Sequence, residues 1–195
     1  MIFDIPPDTR ALIFDCDGTI ADTMPLHYKA WVAALGRHHV DFPEAVFYEL
    51  AGVPTDKIIE ILNDRHGYGM PVQETALLKD GLFEKDIALI LPIEPVVELA
   101  RSYQGKLPMA VASGGFRSIV MKTLQATHLL ELFDAVVVAE DVVHGKPAPD
   151  IFLEAARRLG VEPTKCVGFE DGEMGLTALR AAGMVAIDVR PAYKR

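Results

Sequence analysis

With 195 residues, half of them hydrophobic and 24% charged, the chain has room for one full-sized core and a smaller insert, and its composition excludes a disordered or fibrous protein. A formal net charge of −9 excludes a nucleic-acid partner, because phosphate-backbone binding needs an excess of Lys and Arg to displace condensed counterions. No apolar run approaches the roughly 20 residues that a bilayer demands, and the start MIFDIPPDTR lacks the basic and apolar stretches of a signal peptide, so a cytoplasmic protein without membrane contact is expected.

The first predicted strand is ALIFD (Ala11 to Asp15), a short apolar run that ends in Asp15-Cys16-Asp17-Gly18-Thr19. Residues from Thr19 to Pro25 lead out of it. A long interval of helical patterns follows: LHYKAWVAALGRH, EAVFYELAG, DKIIEILNDRHG and ETALLKDGLFEKDIALI. A structureless loop of that length is improbable in a compact domain, so residues 21–92 read as an inserted all-helical cap. Pro92, Pro95 and Pro108 punctuate the return, and the two connections are the expected hinges.

Beyond the insert, strands are predicted over Leu107 to Ser113, Ala135 to Glu140, Lys165 to Glu170 and Val185 to Val189. Helical periodicity separates them at Ser118 to Leu130, Pro149 to Gly160 and Met174 to Gly183. Alternation of this kind builds a parallel sheet with helices on both faces through right-handed crossovers. The expected fold is a doubly wound, Rossmann-like α/β core made of residues 1–20 and 93–195. Cys16 and Cys166 lie in or beside buried strands and read as small hydrophobes, not as a disulfide framework. Nothing in the sequence argues for an oligomer, and a monomer is the default.

Ligands of such sheets bind at the carboxyl ends of the strands. Four carboxylates fall there, Asp15, Asp17, Glu170 and Asp171, together with Ser113-Gly114-Gly115 and, after the third strand, Lys146 in HGKPAPD. Carboxylates gathered at one edge repel one another unless a cation joins them. The ligands on offer are all oxygens, with no Cys or His cluster, so a hard ion such as Mg²⁺ fits better than Zn²⁺. Asp15 and Asp17, two apart at a strand end, can reach the same pocket, which lets one attack while the other moves a proton. Ser113 and Gly114 offer a hydroxyl and unhindered backbone N–H groups to an anion, and Lys146 a positive charge.

FDCDGTIADT, VASGG, the HGKPAPD lysine and FEDGEMG together resemble the four ordered motifs of the haloacid dehalogenase superfamily, over almost the whole chain. The helical insert, the DGTxxDT continuation, KPAPDIF and the ED…G…A…AAG ending are similar to the β-phosphoglucomutase-like branch and, within it, to bacterial fructose-1-phosphate phosphatases. That resemblance implies a Mg²⁺-dependent phosphatase acting through an aspartyl-phosphate on a small sugar-like phosphate monoester. In that scheme Asp15 is the nucleophile and Asp17 first protonates the leaving alcohol and then activates water. The metal is held by the Asp15 carboxylate, the Asp17 backbone carbonyl and Asp171, with Glu170 direct or through water, while Ser113, Gly114 and Lys146 grip the phosphoryl group.

The resemblance further implies that Thr23, His27 and Gly52 face substrate. His27 and Trp31, four apart on one helix face, read equally well as substrate-facing or hinge residues and as a surface His beside a core Trp. Mutases of this branch carry a cap arginine for a second phosphate where this chain has Thr55, with Lys57 nearby. Hydrolysis is therefore expected over the alternatives, a hexose phosphate mutase or a catalytically silent sugar-phosphate-binding protein.

Overall fold

The computed structural model describes residues 3–193; the outermost residues of the expected core, 1–2 and 194–195, lie outside the described residues. Among the described residues, five strands form one all-parallel sheet: β1 (Ala11–Phe14), β2 (Met109–Ala112), β3 (Ala135–Val137), β4 (Cys166–Glu170) and β5 (Val185–Asp188), in the order β3-β2-β1-β4-β5. The chain steps from β1 outward through β2 to β3, then crosses back over β1 to β4 and β5. The connections therefore diverge between β1 and β4, and a crevice opens there at the carboxyl ends of the strands.

Strand β1 shows why the sheet is covered on both sides. Leu12 and Phe14 pack on one face with Val96, Val97, Leu99 and Ala100 of helix α5 (Glu94–Tyr103) and with Val120 and Leu124 of α6 (Arg117–Ala126). Ala11 and Ile13 pack on the other with Ile151, Phe152, Ala155 and Ala156 of α7 (Asp150–Leu159) and with Ala178 and Leu179 of α8 (Glu173–Ala181). Alternation along the strand feeds both layers.

The expected strands are longer than the observed ones. The third ends at Val137 and not at Glu140, because the Asp141 carboxylate accepts the Val138 N–H at 3.0 Å and draws residues 139–141 into a 3-10 turn. The helix expected to run to Leu130 stops at Ala126, and His128 adopts a left-handed φ of 57°.

Residues 24–85 hold four more helices: α1 (Met24–Gly36), α2 (Glu44–Glu49), α3 (Thr55–His66) and α4 (Val72–Lys85). They carry a hydrophobic cluster of their own, in which Trp31, Leu35, Phe42, Phe47, Ile59 and Leu62 take part. A small second cluster, with Ala30 of α1, Phe83 of α4 and Ile119 of α6, ties them to the sheet layer. The outgoing and returning connections run side by side: the Asp22 N–H donates to Leu91 O at 2.9 Å and the Ile93 N–H to Ile20 O at 3.0 Å. No helix among the described residues is long and apolar enough to cross a membrane.

Candidate active site

The first strand delivers its acidic loop in a fixed register, because the Asp15 N–H donates to Phe169 O of β4 at 3.0 Å. Gly18 then turns with φ of 87°, and the Asp171 carboxylate occupies the space beside it: a Cβ at Gly18 would lie 2.2 Å from Asp171 Oδ2. Only glycine satisfies both conditions. The Thr19 hydroxyl donates to Asp171 Oδ1 at 3.0 Å, and the Tyr193 hydroxyl donates to the Gly18 carbonyl. The loop after β1 and the loop after β4 are thus locked together across the crevice.

Asp15 and Asp17 receive different partners. Lys146 Nζ donates to Asp15 Oδ1 at 2.6 Å and to Glu170 Oε2 at 2.7 Å, with all three side chains buried. The other Glu170 oxygen accepts the backbone N–H groups of Asp171 and Gly172. Asp17 is turned toward α1: Thr23 donates to its Oδ1 at 2.7 Å, and His27 Nε2 lies 3.2 Å from the same atom. Ser113, at the end of β2, donates to Asp17 Oδ2 at 3.3 Å while accepting the Gly115 N–H at 3.1 Å.

Those environments drive the two acids apart. Burial pushes the Asp15 carboxyl well above the usual carboxylate range, Glu170 adds to the push, Lys146 opposes it, and Asp171 and Asp17 reinforce it. Burial also disfavours ionised Asp17, but His27, Thr23 and the charge of Lys79 outweigh it and hold its pKa down at about 2. Lys146 is raised: the pull of Asp15 and Glu170 exceeds the cost of burial.

Asp15, Glu170 and Asp171 offer one oxygen each within 4.8 Å of one another, a set that can hold a metal ion. The donors are hard oxygens, and Lys146 alone does not compensate three acids, so the residues fit a divalent cation of the Mg²⁺ type.

One cavity collects these groups except Lys146, expected to grip the phosphoryl group but buried behind Asp15 and Glu170, with Nζ bound to both carboxylates. Asp15, Asp17, Ser113, Gly114, Glu170 and Asp171 line it from the sheet side, and His27, Trp31, Gly52 and Thr55 from the helical segment. His27 and Trp31 therefore both face the cavity. Thr23 does not line it: fully buried behind Asp17, it meets the carboxylate and not a ligand, which corrects the expectation that it faces substrate. Lys57 is outside as well, paired with Glu60 at 2.7 Å on an exposed helix face.

Gly52 and Gly114 bring the two halves into backbone contact, since a Cβ at Gly114 would stand 2.2 Å from Gly52 O.

Three residues escape a reading by motif. Lys79 of α4 is buried, and its Nζ reaches His27 Nδ1 at 3.0 Å and Asp80 Oδ1 at 3.2 Å. Its signal was its position: Ala76, Lys79 and Phe83 share the buried face of α4 at helical spacing, so a lysine there must find partners inside. Asp80 follows it into the cavity lining. Gly175 underlies Glu170, whose Oε2 would lie 1.8 Å from a Cβ at that position.

The model of haloacid dehalogenase-like hydrolases matches residues 9–183. The chain belongs to that family. Among its relatives, the fructose-1-phosphate phosphatase YqaB of Escherichia coli (strain K12) is 41% identical over 184 residues, covering 92% of this chain and 95% of the relative. The β-phosphoglucomutase of Bacillus subtilis (strain 168) is 29% identical, with 92% and 83% covered. The crystal structure of CbbY from Rhodobacter sphaeroides in complex with phosphate superposes with a TM-score of 0.82 at 27% identity, covering 92% of this chain and 85% of that one. This haloacid dehalogenase-like hydrolase thus shares an α/β core and helical segment with structures of its family.

Proposed function

We propose that the chain is a Mg²⁺-dependent phosphatase that hydrolyses a small sugar phosphate monoester, with fructose 1-phosphate the first candidate, through an aspartyl-phosphate on Asp15. Residues 21–92 act as a cap over a core of residues 1–20 and 93–195. The reading is supported by one observation above others: two carboxylates two residues apart are held by different partners, Asp15 by Lys146 at 2.6 Å and Asp17 by Thr23 at 2.7 Å and His27 at 3.2 Å.

Asp15, Asp171 and Glu170, with the Asp17 backbone carbonyl, would hold Mg²⁺. When bound, the cation relieves the mutual repulsion of the acids and offsets charge on the transferring phosphoryl group. Asp15, kept ionised, attacks phosphorus and expels the alcohol. Covalent catalysis divides one hard displacement into two easier ones. Lys146 orients Asp15, while Ser113, whose hydroxyl accepts the Gly115 N–H, and the Gly114 N–H face the phosphoryl oxygens.

Asp17 must deliver a proton and later remove one. Its three donors favour the carboxylate, which suits the base. A phosphate dianion docking beside it adds like charge, raises its affinity for a proton and so prepares the acid. Giving up that proton leaves Asp17 ionised, and His27, fixed by Lys79, holds the carboxylate through its Nε2–H for the attack of water.

A mutase must retain a second phosphate while the intermediate turns round. Thr55 lines the cavity where that reading needs a cation, and Lys57 is engaged by Glu60 outside it, which favours hydrolysis.

The deciding experiment is phosphate release from fructose 1-phosphate, β-glucose 1-phosphate and other small esters, with Mg²⁺ and with EDTA. Metal-dependent release is expected. Rearranged ester without free phosphate would establish the mutase, and neither reaction would leave a binding protein.

A further inference from the structure

The cap side of the cavity has an uneven content of charge. Besides His27, two charged cap side chains line it, Lys79 and Asp80. The lysine is largely committed elsewhere: Nζ gives two of its three donors to His27 Nδ1 at 3.0 Å and Asp80 Oδ1 at 3.2 Å, and it lies 5.5 Å from the Trp31 ring centroid and 5.6 Å from that of Phe83. Its side chain is 4% exposed, against 19% for Asp80. The charge that remains accessible from the cavity is therefore the carboxylate. Around it the lining is apolar: Met24, Trp31, Phe47, Leu50 and Ile58.

We propose that Asp80 determines specificity: it accepts hydrogen bonds from the hydroxyls of an uncharged polyol leaving group and repels a leaving group that carries a second phosphate or a carboxylate. The inference rests on the phosphatase reading and narrows its substrates to monophosphates of neutral polyols.

An ionised carboxylate only accepts hydrogen bonds, so sugar hydroxyls satisfy it and anions do not. Beside apolar cap side chains, like charges interact more strongly than in water, so the carboxylate works as a repulsive element against the wrong ester. Lys79 keeps one donor beyond those given to His27 and Asp80, but its side chain is only 4% exposed, so it is poorly placed to answer a second anion. Removing the acid changes that balance, because Asp80→Asn takes away the nearest counter-charge of Lys79 and turns a neutral pair into a cation.

The test is the specificity constant of the purified chain with Mg²⁺ for fructose 1-phosphate, fructose 1,6-bisphosphate and 2-phosphoglycolate, in the wild type, Asp80→Asn and Asp80→Glu, with melting temperatures to verify folding. The wild type is expected to prefer the monophosphate of the neutral sugar over both anionic esters by roughly 100-fold, a smaller factor than the about 10⁴-fold that a fully dedicated polar contact supplies, because Asp80 shares its charge with Lys79. Asp80→Asn should shrink that preference at least about tenfold, and Asp80→Glu should preserve most of it. If Asp80→Asn melts below the assay temperature, Asp80→Ser takes its place. A folded Asp80→Asn or Asp80→Ser enzyme with the wild-type preference, or a wild type that cleaves the bisphosphate equally well, overturns the role of Asp80. A wild type that releases phosphate from none of the three overturns the phosphatase reading and this inference together.

Discussion

Lys79 Nζ stands 3.0 Å from His27 Nδ1, and that contact sets the tautomer of the imidazole. An ammonium group only donates, so Nδ1 accepts, and Nε2 carries the hydrogen that faces Asp17. Burial and then the charge of Lys79 keep the His27 pKa below its ordinary value, so the ring stays neutral under working conditions. Lys79→Met should release the ring. The His27 titration, followed by NMR, is expected to move to higher pH, and kcat to fall roughly 10- to 100-fold, less than the full general acid–base contribution because Asp17 itself remains. An unmoved titration would detach Lys79 from the acid–base machinery.

Asp15→Asn is expected to lower turnover by about 10⁴-fold or more, as removals of a nucleophile do. In EDTA it should also raise the melting temperature. The folded-state pKa of Asp15 lies above its unfolded value, so the native state binds the proton more tightly. Stability contributed by that protonation is present at low pH and lost as the pH rises through the folded pKa. At neutral pH the metal-free wild type carries an unfavourable buried charge that the amide lacks. Thermal melts of both proteins across pH would show the difference closing toward acid.

Mg²⁺ should stabilise the wild type against heat. A cation that binds only the folded state contributes about 2.7 kcal/mol at a concentration 100 times its dissociation constant. Asp171→Asn and Asp15→Asn should lose most of that gain in a calorimetric titration. An equal gain in all three proteins would move the cation site elsewhere.

Gly114→Ala tests the contact between the helical segment and the sheet edge. The new methyl would stand 2.2 Å from Gly52 O, a distance that forces one loop to retreat. The apparent KM should rise about tenfold and kcat fall with it, since a displacement near 1 Å costs up to about 100-fold when groups must be aligned. Trp31 is the single tryptophan and lines the cavity, so its fluorescence response to inorganic phosphate should weaken in parallel.

The sheet and the acidic edge were legible because their signals are local. A four-residue apolar run before Asp15, a glycine after Asp17 and a proline-bounded lysine each restrict the backbone by themselves. The cap could be read as helical, but its inward side could not. Lys79 looks like any helix-surface lysine until Ala76 and Phe83 are seen to share its face, and Asp80 enters the cavity only through how α4 packs on α1. Thr23 reads as a substrate contact for the same reason: its distance from Asp17 in sequence is visible, but its burial behind that carboxylate is tertiary. Strand ends were overextended because apolar residues continue past the last ladder bond, and only the Asp141 contact to the Val138 N–H ends β3.

The paired connections at Asp22–Leu91 and Ile20–Ile93 bear on how such a protein can be rebuilt. A segment that leaves and rejoins its host at adjoining residues adds no stretched span to the host, and loop-closure entropy grows only slowly with the length between those points. The host therefore meets the excursion through a footprint of a few residues. A lid of another size, grafted between the same two anchor points, would leave the sheet and its acidic edge intact while changing which molecules it encloses.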